Sequence, residues 1–110
     1  MEIAMGIRYK LVLSTCGSVT EARKIAAQLV EQKLAACVNL IPEVESIYVW
    51  EGQVEHARET KLLIKTKSEK LEQVMAAIRD LHSYDVPEIQ VVDVTSGNLA
   101  YFKWMDEVLL

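Results

Sequence analysis

The 110-residue chain contains only two cysteines. Cys16 and Cys37 are neither spaced as CxxC nor dense enough for the disulfide framework of a small secreted domain, which points to a reducing, cytoplasmic compartment. Positive charge is also short. Twelve basic against sixteen acidic residues leave a net charge of −4, the wrong sign for a protein that neutralises phosphates along a nucleic acid. No apolar run approaches the ~18–20 residues that span a bilayer, and MEIAMGIRYK lacks the apolar centre of a signal peptide. A soluble, unprocessed protein with no membrane partner is expected. There are only four glycines and two prolines, no Ser/Gly/Pro tract and no block of like charge, which excludes a disordered chain. G-x-S-x-G, Walker and HExxH motifs are all missing.

What the chain does have is apolar residues, at 51%, just above the roughly 45–50% of soluble domains. Its length fits one domain, residues 1–110. A chain this short buries only roughly 60–70% of the surface its unfolded form exposes, so a surplus of apolar side chains calls for a partner subunit.

Periodicity orders the elements. Arg8 to Thr15 alternates Tyr9, Leu11 and Leu13 against Val12, a strand. Ser18-Val19-Thr20-Glu21 is an S-x-x-E capping box. It opens a helix to about Lys33 on Ala22, Ile25, Ala26 and Leu29. From Ala36 the pattern returns to β, as CVNLI, Pro42 and VESIYVW, then a turn at Glu51-Gly52 and QVEHARETKLLIKT. The two arms, about 14 residues each, are far longer than the usual strand of about 5–6 and should reach beyond a small globular body. Pro42 should mark a bulge or a bend, because it removes a ladder donor. Ser68 is placed to cap a second helix on Leu71, Val74, Met75, Ile78 and Leu81, ending near His82. Glu88 to Val94 forms a fourth strand, and Asn98 or Ser96 caps a last helix carrying Tyr101, Trp104, Met105 and Val108.

This order, βαββαβ plus a helix, is the α+β, ferredoxin-like arrangement: an antiparallel four-stranded sheet with two helices on one face. The other face needs the third helix or a second subunit, since LLIKT and VVDV are apolar on both sides.

That fold hosts several chemistries, so the sites must decide. Copper chaperones of this class hold the metal between two thiolates, whereas the loop STCGSVT offers one. RNA-recognition modules stack bases on strand aromatics, of which only Tyr9 is present. An acylphosphatase needs an arginine in the loop after the first strand, and none precedes Arg23. Cys16 lies just before a helix N-terminus, where its thiol pKa can fall and make it reactive or metal-binding, or where it is simply a packed turn residue. Cys37 reads as core and His56 as solvated. His82 closes the second helix, and Tyr84, Asp85 and Glu88 follow within six residues; such a loop can bind a divalent cation or be a hydrogen-bonded turn. Tyr48 and Trp50 form an aromatic strip suited to an interface or to cross-strand packing. Glu59 and Lys65 share a face, as an ion pair or as part of a cleft.

Together these segments resemble the CutA divalent-cation-tolerance proteins. The resemblance rests on KIAAQLVEQKLAACVNLIP (Lys24 to Pro42), SIYVWEGQVE (Ser46 to Glu55), ETKLLIKT (Glu59 to Thr66) and HSYDVPEIQVVDVTSGNLAYFKWM (His82 to Met105). It implies a ferredoxin-like protomer, similar in architecture to the PII signalling proteins, that assembles as a homotrimer through its long hairpins. Tyr48, Trp50, Glu59, Lys65, His82, Tyr84, Glu88 and Trp104 match family positions that gather at clefts between subunits. The resemblance further implies a link to tolerance of copper and other divalent metals, in animal relatives an association with acetylcholinesterase anchoring, and no enzyme activity. Two departures stand out. The family's H-P-Y loop reads His82-Ser83-Tyr84. The bacterial copper pattern, a cysteine late in the first strand and two adjacent histidines, reads Ser14, Leu81 and His82.

The resulting expectation is a cytoplasmic homotrimer in the response to metal ions. It would have no obligatory cofactor, and Cu2+ or Zn2+ would be held weakly by His82, Cys16 and Asp85. The alternative is a PII-like regulatory trimer binding a small anion or metabolite in inter-subunit clefts through Lys65 and the aromatic strip.

Overall fold

In the computed structural model, backbone is described for residues 3–110 and side chains for residues 8–110. The elements are β1 (Ile3–Cys16), α1 (Val19–Glu31), β2 (Cys37–Trp50), β3 (Gln53–Lys67), α2 (Leu71–Leu81), β4 (Gln90–Asn98) and α3 (Leu99–Val108). One antiparallel sheet in the order β2-β3-β1-β4 carries them, the ferredoxin-like order. Alternation along β1 and β3 sorts side chains to two faces. Val12, Ser14, Cys16, Leu62, Ile64 and Thr66 point under α1 and α2, and all six are fully buried with Ala22, Ile25, Leu29, Val74 and Ile78.

Among the described residues, the opposite face is covered only at one end. There α3 packs Phe102, Met105 and Leu109 on Ala36, Tyr9 and Val94, with Tyr9 stacked on Phe102 at 4.1 Å. Gly97 permits that approach, since a Cβ there would lie 2.8 Å from Phe102 Cζ. Leu11, Leu13 and Leu63 are left half-buried, and Val92 is exposed.

The β2–β3 ribbon reaches well beyond this body. The radius of gyration is 14.9 Å, against about 13 Å for a compact 100-residue domain. Val49 and Val54, paired across the ribbon, are 68% and 65% exposed. Glu51 (φ 50°) and Gly52 (φ 80°) make the turn between the arms, as a two-residue hairpin with both φ positive requires. The register slips between Ile41 and Val44, one residue more on β2 than on β3. Glu43 there takes φ 60°, so the bulge expected at Pro42 is present.

Three local expectations are corrected. Ser68 makes no capping hydrogen bond; Ser68–Lys70 form a single 3-10 turn and α2 begins at Leu71. Cys37 is half-buried, because its β2 end lies at the sheet edge. The capping box is half made: Ser18 Oγ accepts from the Glu21 amide at 3.2 Å, while the Glu21 carboxylate turns to the loop after α2.

Candidate functional site

Two clusters of polar side chains meet at the end of β1. The first lies on the helix-covered side. His82 follows the last turn of α2, and its side chain is fully buried. Its Nε2 lies 2.7 Å from the Thr15 carbonyl, which can only accept, while the Tyr84 amide donates to Nδ1 at 3.1 Å. Those two bonds define the Nε2–H tautomer. Glu21 reaches the same loop from the first turn of α1, accepting from the Ser83 amide at 3.1 Å and lying 3.4 Å from His82 Nδ1. Cys16, the last residue of β1, completes the group. One donor atom each from Cys16, Glu21 and His82 lie within 4.8 Å of one another.

The Cys16 thiol is not activated by the helix start. Burial, then the negative charge of Glu21 and Glu59, push its pKa up to about 11. Desolvation and the two carboxylates outweigh the helix dipole here, which favours the packed turn residue of the two readings open to Cys16.

The second cluster lines an open groove of about 510 Å³ on the uncovered face, at the root of the ribbon. Residues paired across strands share a face. The bulge brings Val44, Ser46, Tyr48 and Trp50 onto the same side as Glu59 and Lys61. The far wall is the segment Tyr84 to Glu88. Glu88 is held on both oxygens: Thr15 Oγ1 donates to Oε1 at 2.7 Å, and Lys61 Nζ (2.7 Å) and Gln90 Nε2 (3.2 Å) donate to Oε2. Burial by itself would raise its pKa, but these donors hold it below the usual carboxylate range. Tyr84 crosses Gly17 and donates its hydroxyl to Glu59 Oε2 at 2.8 Å. Burial and that hydrogen bond push its phenol well above the ordinary value.

The residues expected to act together therefore divide. Tyr48, Trp50, Glu59, Tyr84 and Glu88 line the groove, and Asp85 lines it with them rather than joining Cys16 and His82. Lys65 shares a face with Glu59 but lies six residues along the strand, roughly 20 Å at ~3.3 Å per residue, with its Nζ over the Tyr101 ring at 5.9 Å. Trp104 belongs to that α3 patch, with its ring 5.6 Å from Tyr101. Two residues were missed. Glu21 has the sequence signature of a helix cap, which hides its second role. Lys61 lies on the Glu59–Lys65 face, and only its register opposite Thr15 shows that it meets Glu88.

A profile of the family described as CutA1 divalent ion tolerance protein matches residues 10–108. The divalent-cation tolerance protein CutA of Thermus thermophilus is 42% identical over 98 residues, which cover 89% of this chain and 95% of that protein. A protein CutA homolog of Xenopus laevis is 43% identical over 95 residues; the match covers 86% of this chain and only 63% of that longer protein. Among solved structures, that of the periplasmic divalent cation tolerance protein CutA of Archaeoglobus fulgidus is similar with a TM-score of 0.90 and 37% identity. It covers 93% of this chain and 99% of its own.

Proposed function

The chain belongs to the CutA1 divalent ion tolerance family, and from that premise we propose that it is a non-catalytic, homotrimeric binding protein in the cellular response to divalent metal ions, copper included. The convergence of Cys16, Glu21 and His82 carries the metal reading. Thiolate, imidazole and carboxylate together suit zinc or copper. Burial first, and then the negative charge of Glu21 and Glu59, push the Cys16 thiol up to about 11, and those two carboxylates favour positive charge beside them. The residues present therefore fit a cation, which would supply charge neutralisation to this corner of the fold. Binding is weak, because it must displace the thiol proton and the Tyr84 amide from Nδ1.

The trimer is supported by the exposed ribbon and by the half-covered sheet face, which one short helix leaves open. A cytoplasmic location is supported by two unpaired cysteines, although the Archaeoglobus relative is described as periplasmic. The anion-binding alternative loses its cations to other partners. Lys61 is neutralised by Glu88, and Lys65 stands over Tyr101, away from the aromatic strip.

Calorimetric titration of the purified protein with Zn2+ and Cu2+, beside Cys16→Ser and His82→Ala, tests the site. Both substitutions should weaken binding about tenfold or more. Equal affinity in all three proteins removes this cluster from metal binding.

A further inference from the structure

The loop after α2 is held by the same atoms that form the metal cluster. On the helix-covered side the Tyr84 amide donates to His82 Nδ1 at 3.1 Å, and the Ser83 amide donates to Glu21 Oε1 at 3.1 Å. With Nε2–H committed to the Thr15 carbonyl, Nδ1 carries the one lone pair of the ring. That pair serves the Tyr84 amide or a cation, never both. The Ser83 amide competes for Glu21 in the same way, less strictly, since a carboxylate has lone pairs to spare. On the ribbon side the Tyr84 hydroxyl donates to Glu59 Oε2 at 2.8 Å. Tyr84 thus joins the two faces of the sheet, its amide on His82 and its phenol on Glu59. Thr15 fixes what lies to either side, its carbonyl the His82 ring and its hydroxyl the Glu88 carboxylate. Any movement is therefore confined to residues 83–87.

We propose that residues 83–87 are a lever that couples the metal site to the face where the neighbouring subunit packs. When His82 gives Nδ1 to a cation, the Tyr84 amide is released and its phenol leaves Glu59, so occupancy of the buried cluster is passed to the inter-subunit face. The inference rests on the Cys16, Glu21 and His82 reading and names its regulation. Coupling of this kind is reciprocal. Whatever fastens Tyr84 to Glu59, a subunit closing over the loop included, weakens the cation, and whatever loosens it strengthens the cation.

Zn2+ titration of the intact protein, followed by calorimetry and by amide 1H–15N resonances, tests this in the parent, Tyr84→Phe and Ser83→Pro. In the parent, the Ser83 and Tyr84 amides should shift and exchange faster with solvent as Zn2+ is added. Tyr84→Phe alters no metal ligand and removes a bond made only in the metal-free state. It should bind Zn2+ about three- to tenfold more tightly, up to the worth of one hydrogen bond to a charged group. Ser83→Pro deletes the donor on Glu21 and should also bind more tightly; the extended backbone of His82 (φ −80°, ψ 140°) is the conformation that proline requires before it. Damage to the fold would have the opposite sign, weakening the site. Unmoved Tyr84 resonances, or a Tyr84→Phe affinity equal to or below that of the parent, overturn the lever while the metal site stands. No Zn2+ binding in any of the three proteins removes the site and the lever together.

Discussion

Ser14 offers an unusual prediction: removing a polar group should stabilise this protein. Ser14 lies on β1 beneath the helices, 0% exposed, and its hydroxyl oxygen has no hydrogen-bond partner among the described residues. Leaving such a group unmade costs about 1–3 kcal/mol. Ser14→Ala removes that cost. Against it stand the lower strand preference of alanine and the few dispersion contacts of one lost atom, together some tenths of a kcal/mol. A net gain of about 1 kcal/mol should remain. In urea the midpoint should move up with an unchanged slope, since the surface exposed on unfolding is the same. The thermal midpoint should rise about 4–8 °C. Both must be read at one protomer concentration, because assembly is linked to unfolding. A loss of stability in Ser14→Ala would refute the reasoning and show that the hydroxyl is satisfied, by a buried water for example.

Gly97→Ala should destabilise by about 1–3 kcal/mol, through the 2.8 Å approach to Phe102 Cζ. Phe102→Leu should relieve part of that cost in the double variant, and additive losses in denaturant would count against the contact. Glu88, with its carboxyl pKa below the unfolded value, contributes stability that is complete above the unfolded pKa of ~4.3 and lost as pH falls through its folded value. Glu88→Gln should therefore flatten the acid side of a stability profile, and an identical slope in both proteins would contradict the assignment. If the ribbon is buried between copies, lysine at both Val49 and Val54 removes about 1.5–3 kcal/mol of burial per side chain. Sedimentation should then find the assembly dissociating at higher concentration than the parent protein, and an unchanged constant would leave the ribbon outside the interface.

Where one element decided its own structure, the sequence was sufficient. The alternation of β1, the α2 stripe and the Glu51-Gly52 turn follow from local periodicity or local turn chemistry, and of the two caps the sequence offers, Asn98 and Ser96, Asn98 is the one used. What escaped were the choices made between distant segments. Glu21 satisfies the local capping rule equally well in either role, and only the arrival of the Ser83 amide, sixty-two residues on, decides which. Lys61 and Lys65 are indistinguishable by alternation, and it is the pairing of β3 with β1 that sets Lys61 beside Glu88. For Cys16 the sequence leaves a reactive thiol and a packed turn residue both open, because it displays the helix start but neither the burial nor the two carboxylates, from α1 and β3, that raise the thiol. Asp85 and His82 are neighbours in the chain, yet the loop between them parts their side chains to opposite faces of the sheet.

The bulge at Pro42–Glu43 sets the phase of everything beyond it. Alternation has a period of two, so a single extra residue inverts the distal half of β2. With that residue, Val44, Ser46, Tyr48 and Trp50 look toward Glu59 and Lys61. Were Glu43 instead a regular ladder residue opposite Glu59, the register would slip by one, Glu45, Ile47 and Val49 would take their places, and the groove would lose both rings. Deleting Glu43 would leave Pro42 alone opposite Thr60 and Val44 still across from Glu59, so the shortened ribbon should lose its bend at this point and keep both rings on the groove side.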